Sequence, residues 1–325
     1  MKSPRRTFLH LVVGAAALPV MPRIARAQSY PTRAVRIIVG FAAAGPTDIS
    51  ARLVGQWLSK RFGSPFVIEN RPGASGNLGI EMVAKAVPDG YTLLACSTTD
   101  TVNATFYSNL NLGSIRDIAP VAGIMREPSV MLVNQSVPTK SVPQFIAYAK
   151  ANPGKINMAT AGYGSAPHIF GELFKMMAGV DLVPIAYQGG GPALVDLLGG
   201  QMQVMFSGIS SSIEYVRTGK LRALAVTTAT RSAALPDVQS VADFVPGYEA
   251  SAWFGLGAPK NTPAEIVDTL NSEINAGLAD PKLKARLADL GSSAFVISAA
   301  DFGNFIAEDT EKWAKVLKLA NIKPE

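Results

Sequence analysis

Residues 35–48 read Val-Arg-Ile-Ile-Val-Gly-Phe-Ala-Ala-Ala-Gly-Pro-Thr-Asp. The β-branched run Val35–Val39 predicts a short buried strand, and the small residues Ala42 to Pro46 predict a turn. A helix from about Thr47 to Arg61 then carries Ile49, Leu53 and Trp57 at apolar helical spacing. A helix start leaves backbone N–H groups without partners and concentrates about half a positive charge. Glycine lets a ligand approach that backbone closely. The same succession of strand, small-residue turn and helix start recurs at Ala161–Pro167 and at Tyr187–Pro192. None of the three turns contains Arg or Lys. A captured anion would therefore rest on backbone amides and on the hydroxyls of Thr47, Ser165 and Tyr163. Ordinary strand–helix turns are filled with the same small residues and caps for structural reasons. The repetition, more than any one turn, points to a ligand.

Outward from these junctions, short apolar runs alternate with amphipathic stretches, the pattern of α/β layers. Strands are expected at Phe66–Ile68, Thr92–Cys96, Ile156–Thr160, Val183–Ala186, Val204–Phe206 and Leu221–Thr227. Helices are expected at Ser141–Ala151, from Ala166 to about Ala178, and from the third turn through Leu197. Asn70 to Gly76 reads as a Pro/Gly loop, and Pro88-Asp89-Gly90 as a tight turn. From Pro263 the chain is mostly helical, ending in a long helix near Ala299–Ala320 with Phe302, Phe305, Trp313 and Leu317. No low-complexity linker divides it. Two lobes joined by crossing strands fit better than separate beads, with crossings near Met125–Val133 and Tyr248–Gly255. Residues 28–127 plus 252–325 then form one lobe and 128–251 the other.

Of 325 residues, 48% are apolar and 17% charged, a globular balance. The net charge of +6 is unevenly placed. Residues 1–27 hold Lys2, Arg5, Arg6, Arg23 and Arg26 and no acid, leaving 25 basic against 24 acidic residues in the rest. The charged start, the apolar run Phe8 to Val20 and Ala25-Arg26-Ala27 make an export signal, with Gln28 the first mature residue. Arg5-Arg6 also fits a twin-arginine signal, while an ordinary secretory signal explains the same pair. With the signal removed, the basic excess that would favour nucleic acid disappears. The expectation is a periplasmic monomer with no nucleic-acid partner.

Enzyme chemistry finds little to work with. The single cysteine, Cys96, excludes an intramolecular disulfide and reads as a small buried residue. His168 is one of two histidines, and the other, His10, lies in the signal. A multi-histidine metal site is therefore unsupported, and no cofactor or metal is expected. Gly162-Tyr163-Gly164 lacks the third glycine of a dinucleotide fingerprint, since Pro167 stands there. Gly208-Ile209-Ser210-Ser211-Ser212 lacks the final glycine of a nucleophile elbow. An exported hydrolase would have to use His168, whose place in a first helical turn has a blander explanation in a local hydrogen bond.

Longer motifs run through the whole mature chain. Asn70-Arg71-Pro72-Gly73-Ala74 with Gly76 and Gly79 is followed by Pro88-Asp89-Gly90-Tyr91-Thr92-Leu93-Leu94. Gly171-Glu172-Leu173-Phe174, Tyr187-Gln188-Gly189-Gly190-Gly191-Pro192-Ala193 and Gly219-Lys220-Leu221-Arg222-Ala223-Leu224-Ala225 come next. Leu235-Pro236-Asp237-Val238 and Trp253-Phe254-Gly255-Leu256 complete the series. In these the sequence resembles the Bug family, the periplasmic solute receptors of tripartite tricarboxylate transporters. The resemblance implies a two-lobed periplasmic-binding-protein fold of type II character, each lobe a mixed sheet flanked by helices, with the ligand cleft between lobes. It implies a small carboxylate ligand, a di- or tricarboxylate or an aromatic acid, captured by lobe closure and delivered to membrane transporter subunits, with a ligand sensor lacking a dedicated transporter as the alternative, and no catalytic residues.

Carried onto this chain, the first ligand loop is Phe41 to Asp48, with Phe41, Ala43, Ala44, Gly45, Thr47 and Asp48 as contacts. The second is Ala161, Gly162, Tyr163, Gly164 and Ser165. Ser97, Thr98 and Thr99 after the third strand, with Tyr187 and Gly189, are expected around the same pocket. Two departures stand out. Ser207 occupies a place after Val204-Met205-Phe206 where the family often has an acid, which favours a ligand without an amine. The first loop reads Ala-Ala-Ala-Gly-Pro where glycine pairs are common, which alters its set of donors.

Overall fold

The computed structural model describes residues 30–107, 114–319 and 321–322. The export signal at 1–27 lies outside them. The first third of the chain forms β1 (Val35–Val39), α1 (Pro46–Phe62), β2 (Phe66–Asn70), α2 (Asn77–Ala84), β3 (Thr92–Ser97) and α3 (Thr98–Phe106). Next come β4 (Ile118–Asn134), α4 (Val142–Ala151), β5 (Asn157–Thr160), α5 (Ala166–Ala178), β6 (Val183–Ala186) and α6 (Gly190–Leu198). The remainder is β7 (Val204–Gly208), α7 (Ile209–Arg217), β8 (Leu221–Val226), β9 (Ser251–Pro259), α8 (Ala264–Ala279), α9 (Pro281–Asp289), β10 (Ser293–Ala294) and α10 (Ala299–Leu319).

One long strand belongs to two sheets. The first part of β4, Ile118–Pro128, pairs antiparallel with β9, which continues through β3 and β1 to β2. From Ser129 onward β4 lies between β7 and β8, and β7 leads on to β5 and β6. Each outer group, β2-β1-β3 and β7-β5-β6, is parallel internally, as strand–helix–strand crossovers require. The crossovers cover both faces, so Val35, Ile37, Ile38 and Val39 are all fully buried. The chain is a two-lobed α/β protein with a mixed sheet in each lobe, and the lobes meet along the crossing strands.

Caps explain where the helices begin and stop. Pro46 pre-sets the first turn of α1, and Gly63 closes the helix in the left-handed conformation. Ser165 caps α5, accepting from the His168 N–H at 3.4 Å, and Gly179 ends it. The apolar stripe expected on α1 has two parts. Ala51, Val54 and Leu58 are the fully buried face against the sheet, whereas Ile49, Leu53 and Trp57 are half-buried. The Trp57 indole donates to the Glu273 carbonyl at 2.8 Å and packs on Gly277 of α8. This second stripe seals one helix against another. Helix α2 is an element the sequence reading left unassigned. Across the back, Phe170 of α5 lies 5.3 Å from Trp313 of α10, an aromatic contact between lobes.

Candidate functional site

A cavity of ≈ 50 Å³ sits between the lobes. That is room for on the order of three to five waters, the scale of a small organic acid. Helix starts from both lobes form its wall: Gly45, Pro46 and Thr47 of α1, Ser97 to Thr99 of α3, Ala166 and Pro167 of α5, Gly190 of α6 and Gly208 before α7. Each brings the positive end of a helix dipole to the cavity, although some of the first-turn N–H groups are spent on caps and on Thr99, Asp100 and Glu127. Phe41, Met205 and Phe254 supply apolar surface. Among the lining residues there is no Arg, Lys or His, and Glu127 is the one charged type.

The hydroxyls are oriented by backbone donors. Thr98 Oγ1 accepts the Trp253 N–H at 2.9 Å, and Thr99 Oγ1 accepts the Ala166 N–H at 3.1 Å. Each keeps its own proton to donate elsewhere. Ser97 Oγ is buried without a hydrogen-bond partner among the described residues. Its N–H donates to the Asp100 carboxylate at 2.7 Å, and burial pushes Asp100 up to about 7 despite that bond. Glu127 is 2% exposed and likewise raised to about 7 by burial, which N–H and O–H donors from Ser210 and Ser292 only partly offset.

Of the residues expected from sequence, Phe41, Gly45, Thr47, Ser97, Thr98, Thr99, Ala161 and Ser207 line this cavity. The others lie around it with different partners. Ala43 and Ala44 are exposed on the loop crest. Asp48 is a brace: Arg52 Nε and Nη2 donate to it at 2.9 Å each, the Asn70 amide at 2.9 Å and the Ala44 N–H at 3.0 Å. Burial works against its charge, but those bonds prevail and hold its carboxyl below the usual range. They also hold Ala44 at φ 67°, a conformation unfavourable to alanine by about 1–2 kcal/mol. The concern over glycine pairs in this loop is answered there: Ala44 takes the left-handed conformation and spends its N–H on Asp48.

Gly162 and Tyr163 line a neighbouring cavity with Tyr187. The Tyr163 carbonyl accepts from Ser75 Oγ at 2.5 Å and from the Tyr107 hydroxyl at 2.9 Å, both in the other lobe. The Tyr187 hydroxyl donates to Asp196 at 2.6 Å. Gly164 donates its N–H to His168 Nδ1 at 3.2 Å, and Ser165 caps α5. Gly189 caps α6 beside the Ala42 N–H. His168, buried and close to Lys175, is lowered to about 4 and neutral, its ring edge-on to Phe106 and Tyr163. The local turn bond expected for it is what the structure contains. Among the described residues no group of three or more His, Cys, Asp or Glu is placed to hold a metal.

The sequence reading missed Glu127, Ser129, Met205, Gly208, Ala252 and Phe254. Glu127 bears directly on the expectation drawn from Ser207. The wall does contain an acid, contributed by β4 and not by the end of β7. The charged pair Arg126-Glu127 within the largely apolar crossing strand was the available signal.

The model for the tripartite tricarboxylate transporter family receptor, TctC, matches residues 50–322. The chain belongs to this family. These are periplasmic solute-binding receptors, and relatives of the TctC chain agree. BugT of Bordetella pertussis is 34% identical over 300 residues, covering 91% of this chain and 92% of BugT. Among solved structures, R. palustris Rpa4515 with adipate has a TM-score of 0.88 at 36% identity, covering 91% and 100% of the two chains. The periplasmic binding protein BugD has a TM-score of 0.87 at 33% identity, covering 91% and 100%. MatC from Rhodopseudomonas palustris with bound malate has a TM-score of 0.85 at 31% identity, covering 89% and 100%. Among the described residues of this receptor, no helix is long and apolar enough to cross a membrane.

Proposed function

We propose that this TctC-family protein is exported through its N-terminal signal and works in the periplasm as a monomeric receptor for a small dicarboxylate. Its lobes, 28–127 with 252–325 and 128–251, close on the ligand, which is then delivered to membrane subunits of a tripartite tricarboxylate transporter. One observation carries this reading: helix starts from both lobes converge on a small cavity lined by hydroxyls and free of basic side chains. Such a site binds anions through many fixed neutral donors, each strengthened by the low polarity of a closed cleft. The adipate in Rpa4515 and the malate in MatC support a dicarboxylate of four to six carbons. Micromolar affinity corresponds to about −8 kcal/mol, within reach of several charge-assisted bonds.

The test is thermal unfolding of refolded, ligand-stripped protein against a panel of carboxylic acids that includes adipate and malate. A ligand at 100 times its dissociation constant adds about 2.7 kcal/mol, a plain rise in Tm. Folded protein that responds to no carboxylate would sink the reading.

A further inference from the structure

Glu127 stands at the point where β4 leaves the first sheet for the second. It pairs with Ala252, and Ser129, two residues on, pairs with Gly208. Its Oε2 accepts the Ser210 N–H and the Ser292 hydroxyl, each at 3.0 Å. Its Oε1 is buried and has no hydrogen-bond partner among the described residues. That oxygen lies against Gly208, where a Cβ would fall 2.1 Å from it and 2.6 Å from Pro46 Cγ. Glu127, Gly208 and Pro46 all line the ligand cavity.

The charged surroundings of Glu127 offer no cation to balance it. Strand β9, its neighbour on one side, has no titratable side chain. On β4 itself the Arg126 guanidinium is spread over the rings of Phe295 and Phe305, 3.8 and 4.6 Å from their centroids. On α7 and α9, Glu214, Arg217, Arg286 and Asp289 pair with one another at the surface. Arg231 shares with Glu127 a second cavity behind the strand without a bond to it. A buried carboxyl with these neighbours keeps its proton easily, and burial does raise it to about 7.

We propose that Glu127 is a specificity-determining donor: it is protonated in the ligand complex, and its Oε1–H donates to a ligand carboxylate, so that capture of the dianion takes up one proton from solvent. This rests on the dicarboxylate reading above. An ionised Oε1 in the same wall would set like charge against the ligand in a cavity with no basic side chain. The neutral acid turns that repulsion into a hydrogen bond, and Oε2 keeps its two donors. Ligand and proton therefore bind together. Affinity is constant below the free protein's Glu127 midpoint of about 7 and falls about tenfold per pH unit above it.

Titration calorimetry with adipate and malate from pH 5.5 to 8.5, in buffers of different ionisation enthalpy, reads both affinity and proton uptake. We expect uptake approaching one proton per ligand above neutrality. Glu127→Gln places an amide N–H where the acid proton stood, so it should bind at pH 8.5 as wild type does at pH 6, with no slope and no uptake. Asp100, the other acid raised to about 7, is controlled by Asp100→Asn, which should keep the slope. A wild-type affinity flat through pH 8.5, or a Glu127→Gln variant weakened at every pH, overturns the donor role while leaving the receptor intact. If neither acid binds at any pH, the dicarboxylate reading falls and this inference with it.

Discussion

The two loops expected to grip the ligand draw on their own lobe and the facing lobe in different measure. The first, Phe41 to Asp48, is braced mostly from its own lobe: Asp48 gathers Arg52, Asn70 and the Ala44 N–H, Asn70 also holds the Phe41 carbonyl at 3.0 Å, and a single backbone bond crosses the cleft, from the Ala42 N–H to the Gln188 carbonyl at 2.8 Å. The second, Ala161 to Ser165, borrows from across the cleft. Ala166 N–H reaches Thr99, and the Tyr163 carbonyl takes two hydroxyl donors from Ser75 and Tyr107. One jaw thus takes most of its bonding from its own lobe, while the other takes three bonds from the facing lobe. If the lobes close on the ligand as proposed, preorganisation lowers the ordering cost of binding on the first side, and closure couples binding to shape on the second.

The sharpest way to break this contrast is to block the close approach of the lobes without substituting a residue of either loop. A Cβ on Gly191 would lie 2.2 Å from the Ala43 carbonyl oxygen of the facing lobe. Gly191 is inside α6, where alanine is locally favourable. Gly191→Ala should leave Tm without ligand unchanged or raised and weaken ligand binding more than about 100-fold, or about 3 kcal/mol. Binding at wild-type affinity would mean that the lobes need not approach this closely.

The preorganised jaw should report in stability instead. Asp48→Ala strands the Ala44 N–H and the Asn70 amide, and should cost about 2–3 kcal/mol of unfolding free energy in denaturant melts. A loss confined to ligand affinity would assign Asp48 to the ligand and not to the loop.

His168 distinguishes the second jaw by pH. Its imidazole is lowered to about 4, against about 6.5 unfolded. Between those values the unfolded chain binds the extra proton. Its contribution is fully present above about pH 6.5 and is lost toward pH 4, at up to about 1.4 kcal/mol per pH unit. His168→Gln should flatten the difference between melts at pH 7 and pH 4.5. An unchanged slope would move the acid sensitivity to other groups.

The smallest effect belongs to a single bond across the cleft. Thr99→Val leaves the Ala166 N–H unpaired, at about 1 kcal/mol, or roughly fivefold in Kd. Tm without ligand should barely move; an equal loss in both would show that the lobes stay closed without ligand.

Much of this molecule is legible along the chain because each element records its own surroundings. The buried run at 35–39 and the small-residue turns at 42–46, 161–164 and 187–191 are local patterns, and helices and strands follow from them. So does the absence of Arg and Lys from those turns, which already implied recognition by neutral donors. The long motifs carried the family. What the chain could not declare is which residues meet across it. The α1 pattern was read as one apolar face, yet only the neighbouring sheet and α8 decide that Ala51, Val54 and Leu58 go one way and Trp57 the other. Glu127 reads only as one half of the charged pair Arg126-Glu127 in a largely apolar strand. The register of β4 against β7, the nearby turn at Ser292 and the missing side chain of Gly208 make it part of the ligand wall. Periodicity is set by neighbours a few residues away, whereas a site between lobes is set by partners some 80 to 165 positions apart. The sequence therefore determined the helix starts and hydroxyls, and the tertiary structure decided which of them face one cavity and where an acid stands among them.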